Sequence, residues 1–419
     1  MRAARRALLA TLSFAVACRP GEPTPEPGPA APTGREPLVR IGIVVDQPEA
    51  KVGAPGPFEL HVTGGDRLTS GRAGEQWTVS AVNGMLEARA ADGRSTGPVN
   101  GMLRITAREG VVTIGERVYR GDALVMARAG GRVTVSNALA LETYLRGVVP
   151  REIGHRPPAE IEAVKAQAVA ARTYAIGNMA VRTRLGFDFF ATDQDQVYGG
   201  VADEDSVANR ALAETRGVIA SSQGRPIIAY YSSTCGGQTA NVEDAWPWRP
   251  AAPYLRSVSD RVPGGDRYYC DTSNRFRWTT TWTRQQLLEV LAGTLTAHKA
   301  RPEGPVRRVE DVALGERSPS GTASVELRVD GRDYHLRADS VRWVLRPQAG
   351  GGILNSARLS ELEREIHGGE VTALRVGGSG WGHAVGMCQV GAIGRARAGQ
   401  SYRQILVAYY TGIDLTDLY

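Results

Sequence analysis

Along residues 38–138 apolar and polar positions alternate in short runs, each separated from the next by glycine, aspartate or proline. Val39-Arg40-Ile41-Gly42-Ile43-Val44-Val45, Val111-Val112-Thr113-Ile114 and the segments 77–82, 103–107 and 132–135 are strand-like. They predict a compact, mostly antiparallel β region. After Asn137 the texture changes. Residues 140–148 read as a short helix ending near Pro150, and Pro157-Pro158 opens a helix over 159–182. Proline suits that place because the first-turn N–H groups it lacks have no helical partner. Ile161, Val164, Ala168, Ala171 and Ala175 recur at helical spacing, and an alanine-rich face predicts close packing against neighbouring backbone. Further helices are expected at 206–215, 284–291, 340–345 and 402–409, with strands at 226–232, 323–329 and 334–336.

These elements predict an α+β fold, a β-rich N-terminal part packed on a mixed helical and strand part. The organisation read from the chain is a leader (1–18), a proline-rich linker (19–37), the β-rich region (38–138) and a core (139–278). An α/β insertion or accessory region (279–370) follows, and a C-terminal segment (371–419) completes the core.

A chain of 419 residues with 42% hydrophobic and 22% charged residues has the composition of a folded soluble protein. The formal charge of +6 includes Arg2, Arg5 and Arg6 in the leader, leaving about +3, too little to argue for nucleic acid. The leader has the shape of an export signal: three arginines, an apolar run over 7–17, then Cys18. Ala15-Val16-Ala17-Cys18 resembles a lipoprotein processing box. We expect an exported protein of the cell envelope, tethered to a membrane through a lipid on Cys18; a plain secretory peptide cleaved near Ala17 is the alternative. Seven prolines and three glycines in 19–37 make a solvated, partly extended tether.

No Walker loop, dinucleotide fingerprint or His-Glu-x-x-His helix is present. Four blocks carry the informative chemistry. The first runs Leu141-Glu142-Thr143-Tyr144-Leu145-Arg146-Gly147-Val148-Val149-Pro150-Arg151-Glu152. The second is Ala166-Gln167-Ala168-Val169-Ala170-Ala171-Arg172-Thr173-Tyr174-Ala175. The third pairs Gln196-Val197-Tyr198-Gly199-Gly200 with Ser233-Thr234-Cys235-Gly236-Gly237-Gln238-Thr239. The fourth is Gly380-Trp381-Gly382-His383-Ala384-Val385-Gly386-Met387-Cys388-Gln389-Val390-Gly391-Ala392. In this order the blocks resemble the SpoIID/LytB family of peptidoglycan enzymes, over nearly the whole chain from Val39 to Gly412.

The resemblance implies a lytic transglycosylase that cleaves β-1,4 bonds between N-acetylmuramic acid and N-acetylglucosamine. Its substrate would be peptidoglycan glycan strands, possibly peptide-stripped, and it would need no cofactor. It places the catalytic carboxyl on Glu152, which should then titrate near about 6, well above the usual value of about 4.3. Gln196 and Tyr198 match the family's cleft-lining pair. Ser233, Thr234, His383 and Arg172 are candidate substrate contacts, against structural roles for each. Trp246 and Trp381 could stack on sugars. A non-catalytic role, binding glycan or activating a cell-wall amidase, is the alternative. Some relatives bind zinc just before the Gln-x-Tyr block; residues 190–195 here contain neither cysteine nor histidine, so no metal is expected. Cys235 and Cys270 flank a segment rich in tryptophan and proline and are expected to form a disulfide, with Cys235–Cys388 as the alternative pairing.

Overall fold

The protein is described by a computed structural model over residues 34–299 and 304–419. The leader, Cys18 and the linker up to residue 33 lie outside the described residues, so the expected lipid anchor does too. The α+β expectation holds. The N-terminal β region forms two sheets. One has seven strands in the order Phe189–Phe190, Leu38–Gln47, Arg132–Ala140, Asp122–Arg128, Leu103–Ala107, Phe58–Val62 and Arg67–Gly71. The other has five, in the order Met85–Ala90, Gln76–Val82, Glu49–Gly53, Val111–Ile114 and Arg117–Arg120. Burial alternates along Gln76–Val82 and Leu103–Ala107, as a strand with one face in a core requires. Trp77, Phe58, Leu60 and Val52 fill that core.

The change of texture near residue 138 is not a break in the packing. Leu38–Gln47 pairs in parallel with Phe189–Phe190, Ile41 opposite Phe189. One hydrophobic cluster runs from Val39 and Trp77 through Tyr144, Ala168 and Tyr409. The β region is thus built into the same core as the helices that follow.

Those helices are α1 (Leu141–Arg146), α2 (Val149–Ile153), α3 (Ile161–Asn178) and α4 (Ser206–Glu214), with α5 (Val242–Ala245) further on. Helix α3 starts after a short 3-10 turn at Pro158–Glu160 and stops before residue 182. Its burial is not confined to one stripe: Ala163, Val164, Ala166, Gln167, Ala168, Val169, Ala170, Ala171, Arg172, Thr173 and Ala175 are all buried. A helix apolar nearly all round belongs in the middle of a core, and its alanines let the neighbouring elements approach closely. The expected strand at 226–232 is broken into Arg225–Pro226 and Tyr231–Ser232, which pair with different partners.

Residues 277–379 form a unit with its own core. Helix α6 (Arg284–Lys299) and helix α7 (Ser340–Val344) pack with two three-stranded sheets around Trp282, Leu291, Val312, Leu327, Val344 and Val376. The unit enters on Arg277–Thr283 and leaves on Glu370–Ser379, which are antiparallel neighbours with Arg277 opposite Ser379. Entry and exit therefore lie side by side, so the segment does not separate the parts it interrupts. Beyond it, Met387–Cys388 pairs with Tyr231–Ser232, and helices α8 (Gln389–Arg397) and α9 (Tyr402–Tyr409) pack on α3. Among the described residues, no helix is long and apolar enough to cross a membrane.

Candidate functional site

Glu152 is half-buried and lies inside helix α2, not in the loop expected between two helices. Burial pushes its carboxyl from an ordinary 4.5 up to about 7. Two hydrogen bonds hold the charged form and oppose this: the Val197 N–H donates to Oε1 at 2.9 Å, and the Gln389 side chain contributes the second. The charge of Asp193 raises the value further, and Arg151 lowers it least of the named groups. Arg151 faces Asp203, with Nε 3.5 Å from its carboxylate. Desolvation thus outweighs the groups that favour the charged form.

Gln196, next to the Val197 whose amide holds this carboxyl, is fully buried. Its Nε2 donates to the Ala171 carbonyl at 3.2 Å and lies 2.9 Å from the Tyr231 hydroxyl, while its Oε1 accepts from Tyr144 at 3.4 Å. The hydroxyls of Tyr144 and Tyr231 both feel the charge of Glu152. Gln196 is therefore a strut for the Glu152 wall, not the cleft-lining donor expected, because its amide is already engaged.

Tyr198 also departs from expectation. It is buried, and its hydroxyl donates to Asn137 Oδ1 at 2.8 Å. Asn137 in turn donates to the carbonyls of Arg120 and Asp122. Gly147 permits this packing, since a Cβ there would come within 2.7 Å of the Tyr198 ring. The tyrosine locks the Gln196 segment onto the β region. Tyr198→Phe should cost about 1–3 kcal/mol by leaving buried Asn137 short of a partner. Denaturant unfolding reads the loss; an unchanged midpoint would mean that the hydroxyl does not brace Asn137.

Arg172 is fully buried and makes a two-pronged ion pair with Glu142, at 2.7 and 2.8 Å, plus a bond to the Val218 carbonyl. The Glu142 carboxyl, pushed up by burial, is held below its ordinary value by Arg172, the Tyr419 hydroxyl and the Gly217 N–H. No donor of Arg172 faces solvent, so the expected substrate contact is corrected to a structural ion pair. Lys165, seven residues earlier, pairs instead with Glu162 and Glu214.

Thr234 is buried, donates to Ser273 at 3.0 Å and is bridged through its backbone to Trp381; its hydroxyl is not offered to a ligand. Ser233 keeps partial exposure. The His383 ring lies 4.8 Å from Trp246 and 6.0 Å from Tyr230, centroid to centroid. Burial lowers it to about 4, so it is neutral at pH 7, and its Nδ1 accepts from the Val385 N–H at 3.0 Å. The following residue, Ala384, has φ of 61°, a left-handed conformation that glycine adopts without strain. Trp381 remains exposed beneath the Arg275 guanidinium.

The sequence did not single out Gln389, Tyr231 or the Val197 amide. Gln389 sits within the fourth block, but only the pairing of Met387–Cys388 with Tyr231–Ser232 brings it to Glu152. The expected disulfide is also corrected. Cys235, Cys270 and Cys388 are all free thiols. The sulfurs of Cys235 and Cys270 are 3.6 Å apart, adjacent but unbonded, and Cys388 shares the same buried cluster with Asp260.

A family profile described as Stage II sporulation protein (SpoIID) matches residues 129–221, the part that carries Glu152, Arg172 and Gln196. A second profile, a domain of unknown function (DUF8618), matches residues 265–386 and spans the unit with its own core. An uncharacterized protein of Brachyspira hyodysenteriae is 32% identical over 285 residues, 68% of each chain. The amidase enhancer of Bacillus subtilis is 30% identical over 311 residues, 65% of this chain and 40% of its own. Stage II sporulation protein D of Bacillus amyloliquefaciens is 30% identical over 296 residues, 67% of this chain and 75% of its own. With an ordered match of this length, the chain belongs to the SpoIID family.

Proposed function

We propose that this member of the family is a peptidoglycan lytic transglycosylase and that Glu152 is its acid and base. The supporting observation is a half-buried carboxyl raised to about 7 and fixed by the Val197 N–H and Gln389. A group of that pKa is substantially protonated at neutral pH yet can take a proton back, which one residue serving both half-reactions requires. In the first half Glu152 donates its proton to the glycosidic oxygen, and the C1–O bond to the N-acetylglucosamine leaving group breaks. In the second the muramic C6 hydroxyl attacks C1 and gives its proton to the Glu152 carboxylate. The product is a 1,6-anhydro end; no water is consumed, and the acid is regenerated. An internal nucleophile removes the need for the second carboxylate of hydrolytic glycosidases and gains from proximity.

The test is digestion of purified, peptide-free glycan strands, with products read by mass spectrometry. Anhydro-ended fragments support the reading; hydrolysed reducing ends, or intact strands, overturn it. The sign of the pH dependence follows from the protonated form being active. With the carboxyl at about 7, kcat/KM should be level below about pH 6 and fall towards tenfold per unit above about pH 8. A rate rising with pH through 7 would rule out Glu152 as the acid.

The relative that is an amidase enhancer favours a second reading, a protein that activates a cell-wall amidase. It predicts binding of glycan strands without cleavage, and amidase stimulation that persists in Glu152→Gln.

A further inference from the structure

Cys235, Cys270, Cys388 and Asp260 come from three well-separated segments, and their ligand atoms all lie within 4.8 Å of one another. All four residues are essentially inaccessible to solvent. Four acidic groups converging in a dry interior are costly unless something compensates them. We infer that these residues form a structural zinc site of three thiolates and one carboxylate, none of which is Glu152.

The spacing fits the ion. Zinc–sulfur bonds of about 2.3 Å at a tetrahedral angle put two sulfurs about 3.7 Å apart, and a sulfur and a carboxylate oxygen about 3.5 Å apart. The observed separations are 3.6 Å for Cys235 and Cys270 and 3.8 Å for Cys235 Sγ and Asp260 Oδ2. Four protein ligands fill a tetrahedron, which marks a closed, structural site with no position for substrate.

The surroundings are those of ligands, not of packed thiols. Cys388 Sγ accepts from the Cys235 N–H at 3.1 Å and from the Gly391 N–H at 3.3 Å. It caps the N-terminus of α8, where an anionic sulfur is favoured. Asp260 presents Oδ2 to the thiols while Oδ1 accepts from the Tyr409 hydroxyl at 2.6 Å and faces Arg395 at 3.4 Å. Such outer partners orient a ligating carboxylate. Gly391 makes room: a Cβ there would fall 2.5 Å from Asp260 Oδ2 and 2.1 Å from the Tyr409 oxygen. Zinc with four anionic ligands carries two negative charges, which Arg395 and the half-buried Arg358 offset. Since Gln389 follows Cys388 directly, the ion would also anchor the segment that carries Gln389 to Glu152.

The test uses the full chain purified without chelator, with metal measured by plasma mass spectrometry. We expect about one zinc per chain. Replacement by cobalt(II) should give the strong sulfur-to-cobalt absorption of a tetrahedral thiolate site. Tyr409→Phe, which touches Asp260 and not the metal, should fold normally and lower zinc affinity about 10- to 100-fold. Asp260→Asn paired with Cys270→Ser should abolish stoichiometric binding. Metal-free protein that takes up no zinc under reducing conditions would overturn the inference. So would a Cys235–Cys270 disulfide in peptide maps of unreduced protein, or undiminished zinc in the double variant. None of these readouts uses glycan, so a failed transglycosylase assay leaves the zinc result standing, and the reverse.

Discussion

Glu152→Gln is expected to lower the rate of anhydro-end formation by about 10²–10⁴-fold, the range typical for loss of a general acid and base. Glutamine keeps the shape and can still accept the Val197 N–H bond seen at 2.9 Å, so glycan binding should change little. The effect belongs in kcat. The same substitution should stabilise the protein in alkaline buffer. Because the carboxyl is raised from 4.5 to about 7, its contribution to folding is fully present below about pH 4.5 and is lost as pH rises to about 7. At about 1.4 kcal/mol per pH unit, discounted for the partial exposure of Glu152, the charged form costs about 1–3 kcal/mol at pH 8. Denaturant midpoints of the two proteins should therefore separate at pH 8, with the glutamine form the more stable, and converge near pH 4. A less stable glutamine form at pH 8 would mean that the carboxylate is stabilised where it sits.

The largest expected loss of stability is that of Arg172→Ala, about 3–5 kcal/mol, as for removing one partner of a buried ion pair. The arginine is fully buried, and without it the Glu142 carboxylate keeps only Tyr419 and the Gly217 N–H. The pair holds helix α1, which leads into α2 and Glu152, to helix α3 and to the strand Val218–Ser222 through the Val218 carbonyl. Urea unfolding measures the loss. Replacing both partners together, Arg172→Met with Glu142→Leu, should recover much of it, because two apolar groups of similar size leave no uncompensated charge. If Arg172 were instead a substrate contact, the single substitution would raise KM and leave the unfolding midpoint where it was.

Much of the fold was legible in local pattern. Strands such as Val111–Ile114 and Leu103–Ala107 and the helix Tyr402–Tyr409 fall where periodicity put them, since each needs only one face buried against neighbours. The segment before Ile161 was harder, for two short helices and a 3-10 turn occupy what reads as one helix, a loop and a second helix. Elements of five residues carry too few apolar positions to show a period. At the site, the surrounding block singled out Glu152 and the resemblance implied a raised carboxyl; burial raises it, to about 7. The roles of Tyr198, Gln196, Arg172 and Thr234 were not legible. A polar residue type says which hydrogen bonds it can make, but not whether Asn137, Ala171, Glu142 or Ser273 will take them first.

By itself, then, the sequence determined the α+β class and the family, because these depend on short-range pattern and on blocks in order along the chain. The tertiary structure decided what depends on contacts between segments far apart in sequence. It brought Gln389 and the Val197 amide to Glu152, turned expected sugar contacts inward as braces, and gathered Cys235, Cys270 and Cys388 around Asp260. Burial and hydrogen-bond partnership are properties of the packed chain, and they, not residue identity, set which polar group is left free to act.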